Sequence, residues 1–150
     1  MISQRLEAPC HTRRQAITGF LLLAASALLP ACSSEATGAA DPLRVGIEEG
    51  RDLFENRKAL MFDIREPAEH ATGVAAGATL LPMSQLQQRV NEIPNDPAQP
   101  VLIICHTQNR SSKVVQALKD AGWNNVRYVH GGMSTWARNG WPMEKPARAS

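Results

Sequence analysis

The chain has 150 residues, a length that suits one domain better than two. Residues 1–31 carry three of the 16 Lys and Arg residues and one of the 14 Asp and Glu residues, so residues 32–150 hold 13 of each. The formal net charge of that remainder is zero, and no nucleic-acid surface or nucleic-acid partner is indicated.

The first 31 residues have the features of a secretory signal peptide and are set apart from the fold. A polar start containing Arg13 and Arg14 precedes an apolar stretch, Ile17 to Ala31. That stretch of about 15 residues is shorter than the roughly 20 that a membrane-spanning helix needs. We therefore assign residues 1–31 to a signal peptide.

The end of this segment, Leu29 to Cys32, resembles a bacterial lipobox, with a leucine three positions before the cysteine and a small residue just before it. The resemblance implies lipidation at Cys32 and a flexible tether over residues 32–42. We expect an exported protein, held by a lipid anchor in the bacterial periplasm or cell envelope. The alternatives are a soluble secreted protein cut near Ala25 to Ala27, or an uncleaved anchor.

Cysteine use in the mature protein is then simple. Cys10 leaves with the signal and a lipidated Cys32 has no free thiol, so Cys105 is the sole thiol of the predicted domain, residues 43–146. An exported protein with one thiol cannot form an internal disulfide. An unpaired thiol in an oxidising compartment is exposed to chemistry, which favours a reactive role.

Apolar runs and helical patterns alternate from Leu43 onward, as in an α/β domain. Two continuous apolar runs predict strands buried on both faces, and three shorter runs bring the predicted total to five strands in one mainly parallel sheet. The predicted strands are Leu43 to Ile47, Ala59 to Ile64, Thr79 to Pro82, Val101 to Cys105 and Val126 to His130.

The helices are predicted from caps and apolar spacing. Ser84 and Gln87 form a capping-box pattern at the start of a helix that Pro94 stops. A second helix has Ser111 or Ser112 as its cap and ends at Gly122. A weaker helix is predicted over Glu48 to Asn56 and a short one over Ser134 to Asn139.

Cys105 ends a buried strand, and we expect the next helix to begin about six residues later. Ligands bind at such carboxyl ends of strands in open α/β sheets. A tight loop into a helix start points backbone N–H groups at one spot and stabilises a thiolate there, while Arg110 supplies a permanent cation. The alternative is a small buried hydrophobic residue with no reaction to perform.

Three segments in this order resemble a single rhodanese (sulfurtransferase) domain. The first is "LMFDIREPAEHATG", Leu60 to Gly73; the second is the C-x4-R loop, Cys105 to Arg110; the third is "VRYVHGGMSTWARNGWP", Val126 to Pro142. The resemblance covers about Leu43 to Pro142. It implies a rhodanese-like α/β fold, a five-stranded mainly parallel sheet flanked by helices on both faces.

The same resemblance implies that Cys105 takes a sulfane sulfur from a donor such as thiosulfate, becomes a persulfide, and passes the sulfur to a thiol or cyanide. Because the sulfur is carried covalently, no metal or organic cofactor is needed. Backbone amides of the loop would hold the outer sulfur. The implied substrate-binding residues are Asp63, His106, Thr107, Gln108, Asn109 and Arg110.

Other residues of these motifs have less specific readings. Asp63 either caps a surface element or makes an active-site hydrogen bond that orients the loop or Arg110. Arg65 is expected in a structural ion pair, His130 in a structural hydrogen bond, and Trp136 in the core under the loop. We assign no function to Trp123, Trp141 or His70.

Two loop positions depart from the family pattern. Gln108 stands where glycine is common, and His106 stands where arginine or lysine is common. These departures motivate an alternative function, a non-catalytic binding or redox-sensing module with a rhodanese fold. A phosphatase or arsenate reductase is a third alternative, although such phosphatases place five residues between cysteine and arginine and this loop has four.

Overall fold

The computed structural model describes residues 41–146. The predicted signal peptide (1–31), Cys32 and the tether up to residue 40 lie outside the described residues. Within 41–146, no helix combines the length and the apolar character that crossing a membrane requires.

Strands and helices alternate along the described part of the chain. In chain order they are β1 (Arg44–Val45), α1 (Ile47–Glu55), β2 (Leu60–Asp63), α2 (Pro67–His70), β3 (Val74–Ala75), β4 (Thr79–Leu80), α3 (Leu86–Arg89), β5 (Val101–Ile104), α4 (Asn109–Asp120), β6 (Val126–Val129), α5 (Gly132–Arg138) and β7 (Met143–Glu144). Short 3₁₀ turns, Met83–Gln85 and Val90–Glu92, flank α3.

The main sheet has five strands in the order β1-β6-β5-β2-β4, and every neighbouring pair is parallel. β5 lies at its centre, with Ile103 opposite Phe62 of β2 and Tyr128 of β6. All four residues of β5 are buried, as its unbroken apolar sequence predicts. The predicted five-stranded, mainly parallel α/β fold is confirmed.

Helices cover both faces of this sheet because successive strand residues point to opposite sides. On one face, Phe62, Ile103 and Tyr128 pack with buried residues of α4. On the other face, Leu102 and Ile104 pack with residues of α1 and α5. The domain therefore has a core on each side of the sheet.

The helix predicted after Ser84 differs from the observed structure. Only the four residues Leu86–Arg89 are α-helical, with a 3₁₀ turn on each side, and Ser84 makes no capping bond. Its backbone N–H and hydroxyl instead donate to the Glu66 carboxylate, at 3.0 and 2.8 Å. A charged acceptor brought close by the fold outcompetes the local cap.

A second sheet, β3 paired antiparallel with β7, was not predicted. Each strand has only two residues, too few for an apolar alternation to be recognised. The pair joins segments 70 positions apart, since Val74 lies opposite Glu144. This pairing attaches β7, which follows α5, to β3, which follows α2.

Candidate active site

Cys105 lies directly after β5, at the carboxyl end of the central strand. Only 1% of its surface is exposed, and it is unpaired in the described part of the chain. Parallel strands β2 and β6 flank β5, so loops from three strands meet around the thiol. This is the position at which open α/β sheets bind ligands.

The loop after Cys105 is shorter than predicted. α4 begins at Asn109, with Gln108 as its cap residue, four positions after the cysteine. The expected cap, Ser111 or Ser112, therefore lies in the first helical turn, and that prediction was wrong. Gln108 takes the cap position because its carbonyl oxygen accepts the N–H of Ser112 at 2.8 Å.

This tight entry into α4 places Ser111 against the thiol. The Ser111 backbone N–H donates to Cys105 Sγ over 3.4 Å, and the thiol donates to Ser111 Oγ over 3.4 Å. Ser111 is fully buried. When the sulfur is deprotonated, the hydroxyl can reverse and donate to it, so one residue offers two donors to a thiolate at a helix N-terminus.

The turn between β6 and α5 clamps the other side of the loop. Met133 N–H donates to the carbonyl of Cys105 and Ser134 N–H to that of His106, each at 2.8 Å. Gly131 N–H donates to Gln108 Oε1 at 3.3 Å. The side chain of Gln108 therefore tethers the loop to this turn.

Gly132 makes the close approach possible. Its φ is +58°, a left-handed conformation that favours glycine. A β-carbon at this position would overlap the carbonyl oxygens of Cys105, His106 and Thr107. The paired glycines of the third motif thus have a steric role directly beneath the loop.

Arg110 is the last residue of the C-x4-R loop, and its guanidinium bonds to a residue outside that loop. Its Nη1 and Nη2 donate to the two carboxylate oxygens of Glu69, at 2.7 and 2.6 Å. This ion pair lowers the pKa of Glu69 from its ordinary 4.5 to about 2, and it raises the pKa of Arg110. Nearby Cys105 and Asp63 raise the Arg110 pKa further through their charges.

Glu69 was not among the predicted site residues. It is the third residue of α2, where its carboxylate accepts the Glu66 N–H at 3.0 Å in a capping box with Glu66. The pattern Glu66-Pro67-x-Glu69 could have predicted this capping box. Its reach to Arg110, 41 positions away, depends on the fold.

Asp63 ends β2 and is completely buried. Its carboxylate accepts from Arg65 Nε and Nη2, at 3.0 and 2.6 Å, and from the Arg65 backbone N–H at 3.1 Å. The predicted ion pair of Arg65 is confirmed. The Asp63 carboxylate therefore bonds to Arg65, while Arg110 bonds to Glu69.

Arg65 links this buried pair to the loop that follows α2. Its Nη2 also donates to the carbonyl of Gly73 at 2.8 Å, and its Nη1 to that of Glu69 at 3.3 Å. His70, also buried, places Nε2 3.6 Å from Asp63 Oδ1, beyond hydrogen-bonding distance. Asp63 and Arg65 thus position the segment that carries Glu69.

The other predicted residues occupy different parts of the loop. His106 and Asn109 are exposed, whereas Thr107 and Gln108 are half-buried. His130 extends the β6 pairing through its backbone N–H, which donates to Val45 at 2.9 Å. Trp136 is buried in the core on the α1 and α5 face and donates to the carbonyl of Pro142 at 3.1 Å.

Within residues 41–146, no group of three or more His, Cys, Asp or Glu side chains is arranged to hold a metal ion. The chemically distinctive element is a cysteine with the N–H and hydroxyl of Ser111 at its sulfur, a guanidinium at the loop's end, and a carboxylate bound to that guanidinium. Such a cysteine can act as a nucleophile and carry a transferred group.

Comparison with known proteins agrees with this geometry. The family model described as "Rhodanese-like domain" matches residues 47–139. A sulfurtransferase of Allochromatium vinosum is 37% identical over 94 residues, which cover 63% of this chain and 86% of that protein.

Two solved structures are similar in fold and sequence. A rhodanese-related protein from Thermoplasma volcanium has a TM-score of 0.59 and 30% identity, covering 69% of this chain and 98% of its own. A thiosulfate sulfurtransferase from Pseudomonas aeruginosa has a TM-score of 0.61 and 30% identity, covering 70% of this chain and 21% of its own. The chain belongs to the rhodanese-like family.

Proposed function

We propose that the protein is a sulfurtransferase that carries sulfane sulfur as a persulfide on Cys105. The observation that carries this proposal is the position of the Ser111 backbone N–H and hydroxyl, each 3.4 Å from the cysteine sulfur at the start of α4, where both can donate to a thiolate. These donors favour the anionic form of sulfur, both as the attacking thiolate and as the thiolate that leaves after transfer.

The proposed reaction has two displacement steps. In the first, the Cys105 thiolate attacks the sulfane sulfur of the donor; a new S–S bond forms, the donor's bond to that sulfur breaks, and the leaving sulfite or thiolate takes the electron pair. In the second, a thiol or cyanide acceptor attacks the outer sulfur and Cys105 leaves as thiolate. Electrons balance in each step without a further oxidant or reductant.

Each part of the loop has a task in this scheme. Backbone N–H groups of residues 106–110 would hold the outer sulfur, and the helix dipole of α4 adds positive potential there. The backbone bonds from Met133 and Ser134 keep the loop in position. A preorganised loop avoids reorganisation during the reaction.

The test uses the full chain, incubated with thiosulfate and with organic persulfide donors. Peptide mass spectrometry should find one added sulfur on the peptide that contains Cys105, and cyanide should release it as thiocyanate. Cys105→Ser should retain its melting temperature and lose both signals. Absence of the adduct with every donor would refute the proposal.

A non-catalytic binding or redox-sensing role is the second candidate, favoured by the 1% exposure of Cys105. It predicts slow, stoichiometric oxidation of the thiol without sulfur transfer. Repeated turnover of donor to thiocyanate would exclude it, because a module that only binds or senses does not turn over.

For location, we propose export and lipid anchoring at Cys32, supported by the Leu29 to Cys32 motif. Metabolic labelling of the expressing bacterium with an alkyne-tagged fatty acid should label the wild-type chain and not Cys32→Ser. Equal labelling of both would contradict the assignment.

A further inference from the structure

The charged side chains near Cys105 form two ion pairs. Asp63 is bound by Arg65 inside the domain, and Glu69 is bound by Arg110 at its surface. Each pair has zero net charge. The positive charge of Arg110, at the end of the cysteine loop, is therefore already neutralised by Glu69 and not by the Cys105 thiolate.

The Glu69–Arg110 pair is held in place at both ends. Arg110 lies in the first turn of α4, and both of its terminal nitrogens are used by the two Glu69 oxygens. Glu69 is held by the N–H of Glu66 at 3.0 Å. Glu66 is held in turn by two hydrogen bonds from Ser84.

This arrangement matters for a charged donor. A doubly charged anion must approach a thiolate of like sign, and the cation that could offset this repulsion is already bidentate on a carboxylate. A singly charged donor meets about half of that repulsion, since the Coulomb energy is proportional to the charge. This arrangement is the basis for expecting discrimination by donor charge.

We propose that Glu69 is a specificity-determining residue, whose bidentate hold on Arg110 makes the site favour singly charged organic persulfides over doubly charged thiosulfate. This inference rests on the proposed sulfur transfer to Cys105. In the reaction, the thiolate takes the outer sulfur as the persulfide S–S bond breaks, and the organic thiolate leaves with the electron pair.

The experiment compares wild type with Glu69→Gln in the full chain. It is done at pH 8, so that histidine side chains with an ordinary pKa are neutral and add no positive charge. The two donors are thiosulfate and the persulfide of N-acetylcysteine methyl ester, whose carboxyl group is blocked. The measured quantity is the ratio of kcat/KM for thiosulfate to kcat/KM for the persulfide. Because this ratio is internal to each protein, partial unfolding does not change it.

Glu92→Gln is the matched control. Glu92 also forms a two-bond pair with an arginine, with Arg89 Nε and Nη2 at 2.7 and 2.8 Å, and that pair has no bond to the cysteine loop. We expect Glu69→Gln to raise the ratio about fivefold, with an effect that falls as salt screens the freed charge. Glu92→Gln should leave the ratio unchanged.

An unchanged or lowered ratio in Glu69→Gln would overturn the inference. Failure of the proposed function is separately visible, as no donor would then load wild-type Cys105. In that case the rate of Cys105 alkylation tests whether Glu69 offsets the positive charge of Arg110 at the site. Glu69→Gln should raise the rate of Cys105 modification by anionic iodoacetate relative to neutral iodoacetamide, and an unchanged relative rate would refute that effect.

Discussion

The backbone N–H of Ser111 lies 3.4 Å from the Cys105 sulfur, and the Ser111 hydroxyl lies at the same distance. Both groups are buried with the cysteine. The hydroxyl has a second acceptor available, the carbonyl of Gln108 at 3.2 Å. It can therefore direct its proton to the carbonyl beside a thiol and to the sulfur beside a thiolate.

Ser111→Ala should slow reactions of Cys105 without unfolding the domain. A hydrogen bond to a charged group is worth about 1.5–3 kcal/mol, so we expect sulfur loading and iodoacetamide alkylation to slow at least tenfold. Ser112→Ala is the control, because among residues 41–146 its hydroxyl bonds only the Asn109 carbonyl, at 3.4 Å. Equal rates in the two variants would show that the Ser111 hydroxyl does not act on the sulfur.

Gly132→Ala should destabilise the domain strongly. The β-carbon would overlap three loop carbonyl oxygens, in addition to the strain of a positive φ. Gly140→Ala is the matched control, since Gly140 has a similar φ of +65° and no atom within 4 Å of the added carbon.

Chemical denaturation measures the free energy of unfolding for both variants. Strain alone should cost Gly140→Ala about 1 kcal/mol, and overlap with backbone should raise the loss for Gly132→Ala above 3 kcal/mol. Similar losses would mean that the loop can move away from Gly132 at little cost.

Asp63→Asn tests whether this carboxylate is mainly a partner for Arg65. Both side chains are at least 97% buried, and weakening one partner of a buried ion pair costs about 3–5 kcal/mol. We expect a loss of that order in the free energy of unfolding. Glu55→Gln, which breaks the exposed pair with Arg51, should cost less than 1 kcal/mol.

A double-mutant cycle separates the two roles of Asp63. If its main partner is Arg65, the losses caused by Asp63→Asn and Arg65→Met should be strongly non-additive. A large loss of sulfur transfer in Asp63→Asn at unchanged stability would instead favour a direct role at the active site.

Stability should depend on pH through Glu69. Its pKa is about 2 in the folded protein, below the ordinary 4.5, so the unfolded chain binds more protons between these values. The contribution of the pair is therefore complete above pH 4.5 and is lost as pH falls towards 2. Because both side chains are about one third exposed, we expect about 1 kcal/mol.

The measurement is the difference in unfolding free energy between wild type and Glu69→Gln at pH 6 and pH 3. The difference should be largest at pH 6 and should shrink at pH 3. A difference that is the same at both values would exclude titration of Glu69 as its source.

Local sequence patterns were sufficient for much of the fold. The apolar runs before Asp63 and Cys105 determine strands buried on both faces, because only the centre of a parallel sheet buries both sides of a strand. The order of strands, cysteine loop and paired glycines determines the family. The sequence also places Cys105, the one cysteine within residues 43–146, at the end of a strand.

The partners at the site were decided by tertiary structure. The sequence indicated Ser111 and Ser84 as candidate helix caps. In the structure, the Ser111 hydroxyl accepts from the Cys105 thiol, and the Ser84 hydroxyl donates to the Glu66 carboxylate. Arg110 meets Glu69 from 41 positions away. Sequence spacing predicts contacts within one helix or strand, whereas contacts between loops depend on how the sheet brings the strand ends together.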